Sequence, residues 1–466
     1  MENKQIDDSK NKAPFFGARH VQCILIFLGA AAAFAQRVNL SVAIVAMMDK
    51  NSTNPNFEEY QWSEQTKSYL LSSFFWGYFV TQIPGSQLAR KFGGKITLLL
   101  SIVLSGLLAL LTPLSVRLGD WQLLFALRLC QGLLQGSTFS STHTLLSKWI
   151  PAEERSSLGT FCYSGMAFGT VLIMFVSGWI ASSTFGWPGI FYFAGLLSVI
   201  WGFVWYFVGA NTPSECKSMT EAERLYIEAA IAKPEHEQAT MKTPWLKILS
   251  SAPFWVILLT QSTYAWGYWT MMTQIPSYMK SILGQDIQSN SLMSAAPYLA
   301  DLLLTFVFCF LSDFLIKRGY ISIIVSRKLF NTIGFWVPIV PLILLGYMGA
   351  DQSELALVLL VIAVGVNSAG NLGFLINHID LSPNFAGVLM GMANSAGNIM
   401  SLLAPLAVGL IVTDAKNVLQ WRFVFYIASG MYFVGNLLFI LFGQAKIQVW
   451  NYPKTQHPQQ DERVSI

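Results

Sequence analysis

The sequence predicts an all-α membrane protein with twelve transmembrane helices in two six-helix halves. Composition is the first observation: of 466 residues, 53% are hydrophobic and only 12% are charged, whereas soluble domains carry about 25% charged residues. The second is a series of twelve apolar runs, each long enough to cross a bilayer core, which takes about 20 residues as a helix. The third is the placement of the basic residues between those runs.

The apolar runs follow one another with short polar connections, except for one long gap after the sixth. Several exceed 20 residues, which predicts tilted helices or helices that project from the membrane. In order, the runs are 21–48, 66–88, 96–116, 121–148, 157–182, 187–208, 252–279, 291–316, 325–347, 354–377, 386–412 and 422–443.

The basic residues orient these runs. With both termini in the cytoplasm, two of the 29 Lys and Arg are intramembrane, most lie on cytoplasmic segments, and six lie on external ones, Lys50, Lys67, Arg117, Lys280, Lys416 and Arg422. The predicted first external loop contains Asn51-Ser52-Thr53, so Asn51 is a candidate N-glycosylation site.

This pattern divides the chain into five parts. They are a cytoplasmic tail (1–20), a first six-helix half (21–209), a cytoplasmic linker (210–250), a second half (251–444) and a cytoplasmic C-terminal tail (445–466). The linker predicts a short helix through EAERLYIEAAIAK, capped by Ser218 or Thr220. Two six-span halves around a cytoplasmic linker are typical of secondary transporters built from repeats.

Two arginines interrupt the apolar pattern, Arg37 in the first run and Arg128 in the fourth. A cation in a membrane helix costs about 2.5–3.5 kcal/mol on insertion scales, so it indicates a watery cavity or a negative ligand. Gln131 and Gln135 follow Arg128 at i+3 and i+7 and share its helix face. A guanidinium fork suits carboxylate or phosphate. The alternative is that each arginine pairs with a carboxylate or a helix C-terminus elsewhere.

Several longer segments resemble one transporter family. QRVNLSVAIV, SSFFWGYFVTQIPG, SKWIPAEERS, FGWPGIFY and NHIDLSPNFAGVLMGMAN are similar to the anion:cation symporters of the major facilitator superfamily, which include sialin, the vesicular glutamate transporters and the type I sodium–phosphate cotransporters. The resemblance covers about residues 17–450. It implies the major facilitator fold, alternating access and a central cavity in which Arg37 and Arg128 contribute to binding an anion.

Departures from the family pattern indicate the branch. Sialin and the vesicular glutamate transporters have a proton-linked carboxylate after the fourth-span arginine, where this chain has Gln131 and Gln135. The vesicular glutamate transporters have an arginine where this chain has Tyr264. The paired glutamines resemble the type I sodium–phosphate cotransporter branch, which implies phosphate, urate or other organic anions driven by Na⁺ or membrane potential.

Further polar residues within the runs are candidates for substrate or ion contact. Asn367 and Asn371 lie with Tyr264 among the predicted substrate-binding residues, although intramembrane amides also tie helices together. Asp301 in the eighth run is a possible coupling residue: a counter-charge, a cation ligand or a cavity-wall residue, or simply an acid near the outer mouth in water.

Other classes of protein fit less well. ARKFGGKI lacks the first glycine and the hydroxyl residue of a phosphate loop, which disfavours an ATP-driven pump, and no nucleophile elbow or metal-spaced cluster suggests an enzyme. An anion channel and a proton-coupled, sialin-like organic acid exporter stay open as alternatives. We expect no cofactor beyond co-transported Na⁺, no nucleic-acid partner, a functional monomer, and the plasma membrane rather than an organelle.

Overall fold

The computed structural model describes residues 16–49, 54–150, 155–216, 219–231, 243–285, 287–382 and 385–451. Within these ranges the regular secondary structure is entirely helical. The first half comprises α1 (Ala18–Met48), α2 (Glu64–Phe92), α3 (Gly94–Gln135), α4 (Thr138–Trp149), α5 (Arg155–Ser182) and α6 (Gly186–Val208). The glycosylation candidate Asn51 lies outside the described residues.

The linker and the second half continue the helical pattern. The linker contributes α7 (Glu221–Ile231) and α8 (Trp245–Leu249), so the helix predicted in EAERLYIEAAIAK is present. The second half comprises α9 (Ala252–Ser281), α10 (Ile287–Lys317), α11 (Ile323–Trp336), α12 (Ile339–Leu345), α13 (Ser353–Asn367), α14 (Ile376–Leu381), α15 (Ala386–Ile411) and α16 (Val418–Phe442).

Each predicted apolar run lies mainly in helix, but some runs are merged or broken. Runs three and four form α3 and α4, and α3 turns sharply at Gly119 and Asp120, where Asp120 has a φ of 47°. The Asp120 carboxylate accepts a hydrogen bond from Trp62 Nε1 at 2.8 Å, which helps to hold this uncommon conformation. The tenth run is broken between α13 and α14 by a π-helical turn, Asn371–Leu375. Such turns are frequent at functional sites.

Nine helices within the described residues are long and apolar enough to span a membrane, and one of these, Gly94–Leu146, contains both the third and the fourth run. The chain is therefore a multi-pass membrane protein. Helices α2 and α9 contain the second and seventh runs and are not among the nine, so the number twelve stays a prediction.

The two groups of six runs meet along three helix pairs. Helix α2 packs on α15, α5 packs on α10, and α1 packs on α9. At the predicted outer end of the third pair, Lys280 Nζ lies 3.1 Å from Asp49 Oδ2. This arrangement puts α1, which carries Arg37, directly against the second group of helices. The five-part division predicted from the sequence stays a prediction.

The linker helix α7 is fixed to the start of α1 by one buried carboxylate. Glu223 accepts hydrogen bonds from the backbone N–H groups of Ala18 at 2.9 Å and Arg19 at 3.1 Å, and from Arg19 Nη1 at 3.1 Å. Those backbone groups have no partner within the helix, and a negative charge there interacts favourably with the helix dipole. The linker is thus attached to the helix that carries Arg37.

Replacing Glu223 with alanine should therefore destabilise the protein by about 3 kcal/mol, because it leaves Arg19 and two helix-terminal N–H groups without this acceptor. A thermal unfolding midpoint in detergent measures the effect. The control is Glu221→Ala, which removes an exposed ion pair with Arg224 on the same helix and should change the stability little. Equal effects of the two substitutions would contradict this role of Glu223.

Candidate anion-binding site

Arg128 lies on α3 and is 2% exposed. Its Nη1 donates to the backbone oxygen of Gln36 at 2.9 Å, to Asn39 Oδ1 at 3.3 Å and to Gln131 Oε1 at 3.1 Å. Its Nη2 donates to the backbone oxygen of Arg37 at 2.9 Å. Every one of these acceptors is neutral, so the positive charge is oriented by hydrogen bonds without being cancelled.

Arg37 lies on α1 within a group of aromatic rings. Its guanidinium carbon is 4.5 Å from the ring centre of Phe34, 4.9 Å from Phe74, 4.5 Å from Tyr78 and 5.8 Å from Trp269. Cation–π contacts stabilise a desolvated cation by about 2 kcal/mol without neutralising it. The buried Nε of Arg37 has no hydrogen-bond partner.

Glycines allow these rings to reach both arginines. A Cβ on Gly132 of α3 would collide with the backbone oxygen of Phe74, and one on Gly77 of α2 would collide with the backbone oxygen of Leu129. The two helices therefore pack backbone to backbone at this level. As a result, Phe74 lies between the two guanidinium groups, 5.4 Å from the guanidinium carbon of Arg128.

The glutamines predicted on the Arg128 face belong to one hydrogen-bond network. Gln131 contacts Arg128 directly, whereas Gln135 Nε2 donates to Gln36 Oε1 and to Ser105 Oγ, each at 3.1 Å. Gln36 also donates to Ser198 on α6. Gln131 is therefore the nearer of the two to the charge, and Gln135 acts through Gln36.

A small enclosed cavity lies between the two halves at this point. Its walls include Arg37, Leu40, Ser41 and Arg128 from the first half and Trp269 and Met272 from α9. The space open to the centre of a water-sized sphere is about 10 Å³, which is room for about one water molecule and too little for a phosphate or urate ion. This cavity must therefore widen before it can hold such an ion.

The other three predicted substrate-binding residues lie apart from the arginines. The ring of Tyr264 packs against Phe335 and Phe374, with centres 5.8 and 5.1 Å apart, and Asn371 lies beside its hydroxyl. Asn367 Nδ2 donates to the backbone oxygen of Gly334 at 2.8 Å, which ties α13 to α11. Substrate contact by Tyr264, Asn367 and Asn371 stays a prediction.

Asp301 lies on α10 and is 8% exposed, so it is not an acid in open water near the outer mouth. Its Oδ1 has no hydrogen-bond partner. Tyr298 lies one turn earlier on α10, and its buried hydroxyl has no hydrogen-bond partner either. Among the described residues, no group of three or more His, Cys, Asp and Glu could hold a metal ion, so Asp301 belongs to no such group.

Several residues of the site were not predicted from the sequence. Gln36, Asn39 and Ser105 orient the polar network, and Phe74, Tyr78 and Trp269 surround Arg37. Gln36 and Asn39 flank Arg37 in an apolar helix, which was a usable signal. The aromatic rings gave no such signal in the sequence, because aromatic residues are common in membrane helices in any role.

Comparison with known proteins shows the family to which this chain belongs. Residues 26–405 match the Major Facilitator Superfamily. A Drosophila ananassae protein named "Putative inorganic phosphate cotransporter" is 37% identical over 92% of this chain and 93% of its own length. Human sialin is 35% identical over 93% of this chain and 90% of its own length.

A solved structure, that of a D-xylose–proton symporter, has the same fold. It matches with a TM-score of 0.69 and 17% identity, over 91% of this chain and 97% of the symporter. At that identity the likeness shows the fold alone. The relatives are transporters of small anions, and the chain is a membrane transporter rather than an enzyme. It belongs to the anion:cation symporter family of the Major Facilitator Superfamily.

Proposed function

We propose that this protein is a secondary active transporter of inorganic phosphate, of organic anions such as urate and carboxylates, or of both, coupled to Na⁺ or to membrane potential. The observation that carries the proposal is a pair of guanidinium groups where the two groups of helices meet. Arg128 is buried and Arg37 is half-buried, and among the described residues their partners are neutral. Such a site stays positive when no substrate is bound and attracts an anion without a proton having to break an internal ion pair.

The energy source follows from the charge of the cargo. A membrane potential acts on each charge with about 2.3 kcal/mol per 100 mV, and an interior-negative potential drives a lone anion outward. Inward transport therefore needs accompanying cations, for which Na⁺ is the proposed partner. Similarity to a relative named as an inorganic phosphate cotransporter supports phosphate as one substrate.

The alternative is a proton-coupled organic acid exporter like sialin, which is nearly as similar in sequence. It is disfavoured because the two positions after Arg128 that face the polar network are amides, which do not exchange protons at ordinary pH. We also propose cytoplasmic termini, on the charge bias given above, together with the plasma-membrane location and the functional monomer expected from the sequence.

The test uses the purified protein in liposomes. Uptake of radiolabelled phosphate, urate and glutamate is measured under separate Na⁺, proton and voltage gradients. We expect saturable uptake of phosphate or urate that a Na⁺ gradient or a voltage increases, and acceleration by unlabelled substrate on the opposite side. Ohmic current without exchange would indicate a channel, and uptake driven by a proton gradient alone would favour the sialin-like alternative.

Introducing a carboxylate beside Arg128 should create pH dependence. In Gln131→Glu an ionised side chain would cancel the Arg128 charge, whereas protonation would restore it. Uptake should therefore be low at pH 7.5 and rise as the pH falls, and pairing with Arg128 moves that rise to lower pH. Gln135→Glu is the matched comparison and should show a smaller response, because it reaches the charge only through Gln36. Uptake by the wild type should depend least on pH. If it depends on pH as steeply as uptake by Gln131→Glu, the role given to the glutamines is wrong.

A further inference from the structure

Asp301 is an acid in the membrane domain that the proposed anion site does not use. Asp301 is 8% exposed, its Oδ1 is buried without a hydrogen-bond partner, and no ion pair involves it within the described residues. Tyr298, one turn earlier on the same face of α10, is 1% exposed, and its hydroxyl is also buried without a partner. Isolated polar groups of this kind are costly, and a carboxylate more so than a hydroxyl.

The side chains near Asp301 carry hydroxyl and amide oxygen atoms. Tyr298 packs edge to face against Tyr268 of α9, with ring centres 6.5 Å apart, and Tyr268 stacks on Tyr264. The Tyr432 hydroxyl donates to Asn367 Oδ1 at 3.4 Å. Carboxylate, hydroxyl and amide oxygens are hard ligands. Such ligands bind alkali and alkaline-earth cations in preference to softer metal ions.

The same tyrosines connect this pocket to the arginine site. The Tyr268 ring packs edge to face against Tyr298 on one side of the connection and against Trp269, which faces Arg37, on the other. Tyr264 stacks on Tyr268 with ring centres 5.8 Å apart. Tyr268 therefore contacts both Tyr298, one turn from Asp301, and Trp269, which faces Arg37.

We propose that Asp301 and Tyr298 bind the co-transported cation, Na⁺, and that Tyr268 couples this site to the anion bound at Arg37. The inference rests on the proposed function, since it assigns the cation of the same transport cycle. A bound Na⁺ neutralises the buried carboxylate and occupies the unpartnered oxygens of both side chains. With the anion on Arg37, the two halves then close over ligands of opposite charge, on either side of Tyr268.

Ligand-dependent thermal unfolding tests the site without relying on transport. NaCl should raise the unfolding midpoint of the purified protein above that in choline chloride at equal ionic strength and pH 7.5, because a ligand that binds only the folded state stabilises it. Asp301→Asn should abolish the Na⁺-specific rise. Tyr298→Phe should require several-fold more Na⁺, and Tyr163→Phe, which removes another buried hydroxyl without a partner in the first half, should behave as wild type.

Each other outcome overturns the proposal. A wild type without a Na⁺-specific rise, or an Asp301→Asn protein that keeps it, excludes Na⁺ at this site. Stabilisation by protons in place of Na⁺, lost in Asp301→Asn, would make the proton the bound cation. If Asp301→Asn does not fold, an unchanged Na⁺ requirement in Tyr298→Phe is sufficient to reject the site.

Transport in the same variants separates this inference from the proposed function. Asp301→Asn should lose at least about 10-fold of Na⁺-driven phosphate accumulation and retain phosphate–phosphate exchange at equal Na⁺ on both sides. Anion transport in a wild type that does not respond to Na⁺ would leave the proposed function standing and remove the cation site. Na⁺ binding without any anion transport would leave the cation site standing and remove the proposed function.

Discussion

Replacing Arg128 with lysine is expected to lower anion uptake by about 100-fold, which corresponds to about 2.7 kcal/mol of lost transition-state stabilisation. Lysine keeps the charge but not the planar fork, so it cannot contact both Gln36 and Arg37 on α1 as the two Nη atoms of Arg128 do. The same change should lower the thermal unfolding midpoint, because hydrogen bonds from a charged donor contribute about 1.5–3 kcal/mol.

The control for a general effect of arginine-to-lysine exchange is Arg117→Lys. Arg117 is about half exposed and lies 3.7 Å from Glu58, so its replacement should change neither uptake nor stability. Uptake is to be normalised to protein in the liposomes. Wild-type uptake of the transported anion by Arg128→Lys would remove Arg128 from the site.

The second large effect is expected at Arg37, with a different signature. Arg37→Lys should lower uptake by about 10- to 100-fold while leaving the unfolding midpoint close to that of the wild type. A lysine ammonium can still lie over the rings of Phe34 and Tyr78, so the packing is kept, but the paired donors that suit phosphate or carboxylate are lost. Measuring uptake and the unfolding midpoint on one preparation checks both expectations.

The pair of variants separates two roles within one charged site. Arg128 is held by acceptors on α1, so it fixes α3 against α1 in addition to supplying positive charge. Arg37 has ring contacts and an unpartnered Nε, so its charge is the more available to a ligand. A large loss of stability in Arg37→Lys with normal stability in Arg128→Lys would reverse these roles.

Much of this protein could be predicted because a bilayer imposes strong rules on sequence. The helical class and most helix ends, within a few residues, follow from the apolar runs, and the two arginines were singled out by the cost of intramembrane charge. The contact between Arg128 and Gln131 also followed, since i and i+3 lie on one helix face.

The breaks within runs were harder to predict. The turn at Gly119 and Asp120 and the π turn at Asn371–Leu375 lie within or beside apolar segments that read as continuous. Their conformations depend on partners elsewhere, such as Trp62 for Asp120.

The sequence by itself determined an all-helical membrane protein with a positive, carboxylate-poor centre, because hydrophobicity and helix periodicity are local properties. Only the tertiary structure decided what surrounds each charge. It put aromatic rings around Arg37, backbone oxygens of α1 on Arg128, and Tyr268 of α9 against Tyr298, which lies one turn from Asp301. These contacts join residues far apart in the chain, and they form only where small residues such as Gly77 and Gly132 let helices approach closely.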